Sequence, residues 1–414
     1  MRVLWLSHFI PYPPKIGAIH RSYHLLKHIA KENEVVLLAF NQNELMNTFY
    51  ADPIAGKATA LRHLGEICEY VEVLALHEEI SRFGKKGIAA ASVVSSESYT
   101  MKWLKSRVFS ERLSRILKDY DFDVVHMDTI SFMRYADQIE HPIVLNHHNI
   151  ESQLIIRRGK LSKNLIEKVF LYFEGIKLQN EERKSAKQAA RHVVCSDLDS
   201  ERLREVIGAA PIDVIPNGVE PRPLSAVPSE EPPRLVFLGT LSWGPNRKAV
   251  EWIVEDIWPC IRASGIDVNF ELVGGSPPDV ANRLSIEDSH FHVRGFVDEI
   301  DDFMHPGNIF VCPIVDGGGT KLKVLDSFER GMPVVAHPIA MEGINAIENV
   351  HYVPALNARE FADRIAFLLN SPEERERLSR HGRELVISEY SYASIAEKLS
   401  IIYSSTAKDC NSSS

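Results

Sequence analysis

Ile309-Phe-Val-Cys-Pro-Ile314, followed two residues later by Gly317-Gly-Gly-Thr-Lys-Leu-Lys323, is the stretch that decides the fold. An apolar run too short for a helix breaks at three glycines, a helical pattern closes at Gly331, and a second apolar run, Pro333-Val-Val-Ala336, begins at once. Strand, glycine loop, helix and strand make the βαβ unit of a parallel sheet. Three glycines let backbone N–H groups approach a phosphate without Cβ obstruction, Thr320 is the candidate N-cap, and Lys321 and Lys323 add charge at the positive end of the helix dipole. Two lysines there oppose the dipole unless an anion is present, so the segment reads as an anion-binding loop rather than a turn that needs glycine only for tightness.

The same rhythm runs through the whole chain. Short β-rich apolar runs at 3–7, 35–40, 71–76, 124–127, 143–146 and 193–196 alternate with helical patterns, and a second set follows at 234–239, 269–273, 290–294, 309–313 and 334–337. Alternation of this kind predicts α/β architecture with parallel sheets and crossover helices. A chain of 414 residues exceeds what one hydrophobic core supports, so two doubly wound units in tandem are expected. Pro216-Asn-Gly-Val-Glu-Pro-Arg-Pro223 and the Pro- and Glu-rich stretch 226–233 place the boundary near Asn217. Residues 154–191 read as one long charged helical region, either a solvated helix with its apolar stripe on the sheet or a contact for an anionic membrane surface or lipid-phosphate acceptor.

Bulk composition excludes several classes. A net charge of −9 argues against nucleic acid as a partner, because nucleic-acid-binding domains carry a basic footprint. Five scattered cysteines without a Cys-x-x-Cys pair fit a reduced, cytoplasmic setting, and no run of 18 apolar residues marks a membrane span. The inner face of a membrane is the other setting the basic helical region admits. Asp-x-Asp pairs at Asp121-Phe-Asp123 and Asp197-Leu-Asp199 fall at a strand's amino end and at a helix start, so no catalytic metal is predicted.

In open α/β sheets ligands bind outside the carboxyl ends of the strands. The loop after the first strand holds Gly17 and Arg21 but lacks Gly-x-Gly-x-x-Gly, which speaks against a nicotinamide or flavin cofactor. After 143–145 comes Asn146-His-His-Asn-Ile-Glu151, where His147 or His148 could bond a substrate hydroxyl or polarise a leaving group, with Asn149 beside them. His126 closes the strand 124–127, either as a second polar wall or as a satisfied strand-end histidine. Gly239 and the helix start at Asn246 could bind a second face of a diphosphate, and Phe296 and Val297 could bracket a nucleobase or pack beneath the sheet. Asp326, six residues beyond Thr320 and so about 9 Å along a helix, could accept from a ribose diol or pair with Lys323 at i−3.

Taken together, the Pro13-Pro14…Gly17…Arg21 loop, Ile215-Pro-Asn-Gly-Val-Glu220, Gly239…Trp243-x-Pro-Asn246 and Gly317-Gly-Gly-Thr-Lys-x-Lys-x-Leu-Asp326 through Val335 resemble the retaining glycosyltransferases of the GT-B fold, family 4 type. The resemblance covers nearly the whole chain and implies two Rossmann-like domains facing across a cleft. It implies an acceptor domain over 1–215, a nucleotide-sugar domain over 216–385 and a terminal helix over 386–405 crossing back to the first domain, while too little apolar surface at the end of the chain predicts a disordered tail over 406–414. The resemblance further implies that Lys321, Lys323 and Gly319, with Gly317, Gly318 and Thr320 in the same loop, hold a donor diphosphate. Asp326 would take the ribose, Phe296 and Val297 the base, and His148 the transferred sugar. Gly17, Gly239 and Asn246 join the donor side, and Arg21, His126, His147 and Asn149 the acceptor side. The implied co-substrate is a uridine- or guanosine-type nucleotide diphosphate sugar, with no further cofactor, and the acceptor a glycan or lipid-linked hydroxyl. The chain departs from the family's Glu-x7-Glu pattern, holding Gly318 and Asp326 in those places, and has Thr240 and Asn246 where Arg and Lys are usual. Those departures leave a nucleotide-sugar epimerase or a non-catalytic sugar-nucleotide binder as alternatives.

Overall fold

The structure, a computed structural model, describes residues 1–15, 17–76, 84–162, 164–224, 232–297, 299–316 and 320–411. The expected linker over 226–233 therefore lies mostly outside the described residues, as does Lys163. Two compact units form: Met1–Pro216 with Ile395–Ser414, and Asn217–Ser394.

In the first unit the strands are β1 (Arg2–Ser7), β2 (Glu34–Asn41), β3 (Tyr70–Ala75), β4 (Val124–Met127), β5 (Ile143–Asn146), β6 (Arg191–Val194) and β7 (Ile212–Val214). They form one sheet in the order β3-β2-β1-β4-β5-β6-β7, every neighbouring pair parallel. In the second unit β8 (Leu235–Leu238), β9 (Phe270–Val273), β10 (Phe291–Gly295), β11 (Ile309–Cys312), β12 (Val334–Ala336) and β13 (Val353–Pro354) lie in the order β10-β9-β8-β11-β12-β13, again parallel throughout. Both orders reverse beside the first strand of the unit, and such a reversal opens a crevice at the carboxyl ends of the two central strands. In each unit that crevice falls at the loops after β1 and β4, and after β8 and β11.

Central strands are apolar on both faces because helices cover both. Val3, Leu4, Trp5 and Leu6 of β1 and Ile309, Phe310, Val311 and Cys312 of β11 are fully buried. Periodicity misses β7 and β13, which are three and two residues long.

The region expected as one helix over 154–191 is two, Glu151–Leu161 and Leu165–Gln188. The break has a local cause: the Asn164 side chain accepts from the backbone N–H groups of Ile166 and Glu167 and starts a new helix. The two helices pack closely where Gly175 meets Ile156, since a Cβ there would lie 2.3 Å from Ile156 Cγ1. Buried Glu182 ties them together, accepting from Ser152 N at 3.0 Å and Ser152 Oγ at 2.5 Å.

At the other end, the disordered tail expected over 406–414 is corrected: the last helix runs Tyr392–Asn411. Tyr403 is fully buried and its hydroxyl lies 2.7 Å from His126 Nδ1, an anchor that low apolar content does not reveal. Among the described residues, no helix is long and apolar enough to cross a membrane.

Candidate functional site

At the carboxyl edge of the second sheet, the helix Leu322–Glu329 begins after β11, and the loops after β8, β9 and β10 are laced beside it. Gly239 N donates to Val273 O at 3.0 Å, and Gly274 N to Gly295 O at 2.7 Å. Gly274 sits at φ +144, and a Cβ on it would stand 1.9 Å from Gly239 O, so only glycine fits. The sequence signal for this lacing is Val273-Gly-Gly275 at a strand end. Sequence reasoning passed over it.

Lys323 is the centre of this edge. Its Nζ donates to Asn246 Oδ1 at 2.7 Å and lies 4.5 Å from the Phe237 ring centroid. Among the described residues no carboxylate pairs with it. Burial pulls its pKa down to about 8, with Cys312 partly opposing, as expected of an ammonium without a counter-charge. A Cβ at Gly239 would come within 2.6 Å of that Nζ, so the missing side chain keeps the approach to the cation open. Asn246, expected on the donor side, is buried and bridges instead, its Nδ2 donating to Thr240 O at 2.9 Å while its Oδ1 holds Lys323.

Three expectations change here. The N-cap position belongs to Lys321, with extended backbone, rather than to Thr320, whose hydroxyl donates to Gly343 O at 3.3 Å. Lys321 is no equal of Lys323, because its Nζ stands 3.8 Å from Glu342 Oε2. The i−3 pair of Asp326 with Lys323 does not form, since the lysine turns to Asn246. Asp326 instead sits half-buried, and burial lifts its carboxyl to about 6, with Arg330 and Arg222 opposing. Phe296 leaves its ring 79% exposed just past β10, open to a flat partner, and Val297 is half-buried beside it. Gly317, Gly318 and Gly319 lie outside the described residues.

At the carboxyl edge of the first sheet the governing group is Asp128, which sequence reasoning did not single out. It follows β4 directly and is fully buried. Its Oδ2 accepts from Ser22 Oγ at 2.6 Å, and its Oδ1 accepts from Asn146 Nδ2 at 2.9 Å and lies 2.9 Å from His148 Nε2. Burial alone would raise this carboxyl; His148 and His126 outweigh it and hold it well below the usual carboxylate range. The ionised carboxylate makes Nε2 of His148 the protonated nitrogen and fixes the plane of the ring. The readable signal was an acidic residue directly after a central strand.

Of the histidine pair, only His148 reaches the edge. His147 points inward, its Nε2 3.1 Å from His192 Nδ1, and burial holds it well below its ordinary pKa. Adjacent residues on an extended segment point to opposite sides, so one of the two had to turn in. His126 is fully buried, stacked on Trp5 at 3.8 Å and bonded to Tyr403, hence a strand-end histidine and no acceptor wall. Arg21 is buried too: its guanidinium donates to Ile215 O at 2.7 Å and Pro216 O at 2.6 Å, holding the end of the unit rather than an acceptor. Asn149 is exposed beside His148, and a Cβ on Gly17 would meet nothing within 4 Å. His8, directly after β1, lies 6.1 Å ring to ring from His148 and is pulled down to about 4 by burial.

The first edge carries an oriented histidine, the second a cation over an aromatic ring with no carboxylate partner among the described residues. Residues 71–222 match the Glycosyltransferase Family 4 model, and residues 232–371 match Glycosyl transferases group 1. The two matches follow one another along the chain, a family 4 glycosyltransferase model and then a group 1 glycosyl transferase model. The α-D-kanosaminyltransferase of Streptomyces kanamyceticus is 25% identical over 184 residues, 42% of this chain and 46% of that protein. The chain spans less than half the length of the curated relatives it matches. Sucrose-phosphate synthase from Thermosynechococcus elongatus superposes with a TM-score of 0.66 at 16% identity, covering 100% of both chains. Anabaena Alr3699/HepE in complex with UDP superposes at 0.63 and 15%, covering 98% of this chain and 100% of that one. At those identities the likeness concerns the fold, which is GT-B: two glycosyltransferase domains, each built on a parallel sheet.

Proposed function

We propose that this glycosyltransferase chain moves a sugar from a uridine- or guanosine-type nucleotide diphosphate sugar to a hydroxyl of a glycan, polysaccharide or lipid-linked acceptor. Transfer proceeds with retention at the anomeric carbon and without a bound metal. The observation that carries the reading is Lys323, a half-buried ammonium held by a neutral amide and an aromatic face, with no carboxylate partner among the described residues. Keeping such a cation desolvated is unfavourable unless an anion occupies the site, and a diphosphate at the start of the Leu322–Glu329 helix supplies that anion. The structural neighbour Anabaena Alr3699/HepE is in complex with UDP, which agrees with a nucleoside diphosphate in this role.

In the reaction, the acceptor oxygen bonds to the anomeric carbon on the face from which the diphosphate leaves. The carbon–oxygen bond to phosphate breaks, and the acceptor proton passes to a phosphate oxygen. Lys323 and the helix N-terminus stabilise the charge that grows on the leaving diphosphate. Asp326 accepts from the ribose diol and Phe296 stacks on the base; on the first unit, His148, its Nε2–H fixed by Asp128, is the polar group offered to a sugar.

Purified protein incubated with a panel of nucleotide diphosphate sugars, with and without a lipid-linked acceptor mixture, tests the reading by nucleoside diphosphate release. Release from one donor that accelerates with acceptor supports it. Conversion of the donor alone would point to an epimerase, and binding without release under every acceptor would replace transfer with a non-catalytic binder.

A further inference from the structure

We propose that the Glu151–Leu161 and Leu165–Gln188 helix pair docks the protein on an anionic lipid bilayer. The second helix wears an apolar stripe on its solvent side: Leu165, Ile166, Val169, Tyr172 and Phe173 are 76%, 82%, 52%, 54% and 57% exposed. Their spacing of i, i+1, i+4, i+7 and i+8 puts them on one face, about 12 Å long at 1.5 Å per residue. The opposite face of the same helix, through Leu171, Glu174, Gly175, Leu178 and Glu182, is the buried one. Core packing therefore accounts for the second set and leaves the first unexplained, against the expectation that the apolar stripe packs on the sheet.

Charge identifies what covers the stripe. Residues 157–177 hold six Lys or Arg (157, 158, 160, 163, 168, 177) and two Glu (167, 174), a local balance of 6 − 2 = +4 in a chain of net −9. Both glutamates have basic partners, Glu167 with Arg158 at 3.7 Å and Glu174 with Lys177 at 2.7 Å. Arg157 and Lys160 line a surface groove of about 320 Å³ with Gln153, Ile156 and Gln179, and among the described residues no carboxylate lines it. Gln179 follows Tyr172 by seven residues, so the groove lies on the stripe's side of the helix, about 10 Å further along it. Amides and cations beside exposed aliphatic and aromatic side chains suit a bilayer interface, where apolar groups enter the acyl boundary and long basic stems reach lipid phosphates. A protein partner fits less well, because lysine is depleted from the cores of protein interfaces and Lys168 stands beside this stripe. The docking rests on this geometry alone; that it would bring a lipid-linked acceptor to the enzyme rests on the proposed sugar transfer.

The test is co-sedimentation of the full chain with vesicles of phosphatidylcholine, with and without phosphatidylglycerol, across a salt series. Binding should require phosphatidylglycerol and weaken with salt. Val169→Asp/Phe173→Asp and Arg157→Glu/Lys160→Glu should each lower it roughly tenfold or more, with uridine diphosphate binding unchanged. Absence of binding at low salt, equal binding to phosphatidylcholine alone, or variants that bind like the parent would overturn the proposal. So would a dimer in sedimentation velocity that Phe173→Asp splits without vesicle binding, which would assign the stripe to a second copy. Vesicle binding without any nucleotide binding supports the docking and counts against the sugar-transfer reading alone.

Discussion

The carboxyl edges of the two sheets share a strand order and differ in how their charges are balanced. In the first, Asp128 is matched by His148, Asn146 and Ser22, while buried His147 faces His192 and buried His126 faces Tyr403. In the second, Lys323 meets only an amide oxygen and an aromatic face among the described residues. A balanced network holds a side chain in one pose before ligand arrives, whereas an unbalanced charge attracts the ligand that completes it. Under the proposed function, the first edge orients and the second binds.

The largest test of that difference is Lys323→Ala. Turnover should fall about a hundredfold to a thousandfold, roughly 3 kcal/mol or more, in a protein that still folds. Steady-state kinetics beside circular dichroism measures it, and a folded variant of unchanged rate would remove the comparison's second half. Asp128→Asn comes next, with turnover lower by about a hundredfold and uridine diphosphate affinity little changed, because the amide cannot fix His148 as the carboxylate does. Equal losses of turnover and nucleotide affinity would mean that the first edge also binds donor. Gly274→Ala should lower unfolding stability by about 2–3 kcal/mol in a denaturant titration, since the new Cβ meets a backbone oxygen at an unfavourable φ.

The pH dependence of nucleotide affinity sharpens the same contrast. Lys323 has its pKa pulled from 10.5 to about 8, so it is charged below that value and loses its proton above it. An anion binds the charged form, hence affinity for uridine diphosphate should be flat between about pH 7, above the titration of Asp326, and about pH 8, and fall up to about tenfold per unit above that. Calorimetric titration across that range checks this, and Lys323→Arg, charged throughout, should flatten the profile. The smallest effect is expected from Lys321→Ala, less than about tenfold in turnover, because Glu342 already shares its charge. A loss matching that of Lys323→Ala would show that both lysines carry the diphosphate.

Much of this was legible beforehand. Short apolar runs separated by helical patterns led to two parallel sheets, and the strands missed, β7 and β13, are too short for periodicity to register. Phe296 and His148 stood out because each follows a strand, where α/β sheets place their ligands, Lys323 because it follows the glycine loop after one, and Asp326 by its spacing along the helix beyond Thr320. Asp128 follows one too, but a lone aspartate after Val124-Val-His-Met127 carries no pattern until three donors converge on it.

The amino-acid sequence determined the alternation of elements and the division near Asn217, since these rest on local spacing and on what each residue type permits its own backbone. Tertiary structure alone decided which of two adjacent histidines faces the edge, that Arg21 closes the end of its unit, that Lys321 and Lys323 differ, and that the stripe from Leu165 to Phe173 is outside. Those outcomes depend on partners tens to hundreds of residues away, Pro216 for Arg21, Asn246 for Lys323, Glu342 for Lys321 and His192 for His147. Burial and charge are properties of the assembled neighbourhood, and only the fold supplies one.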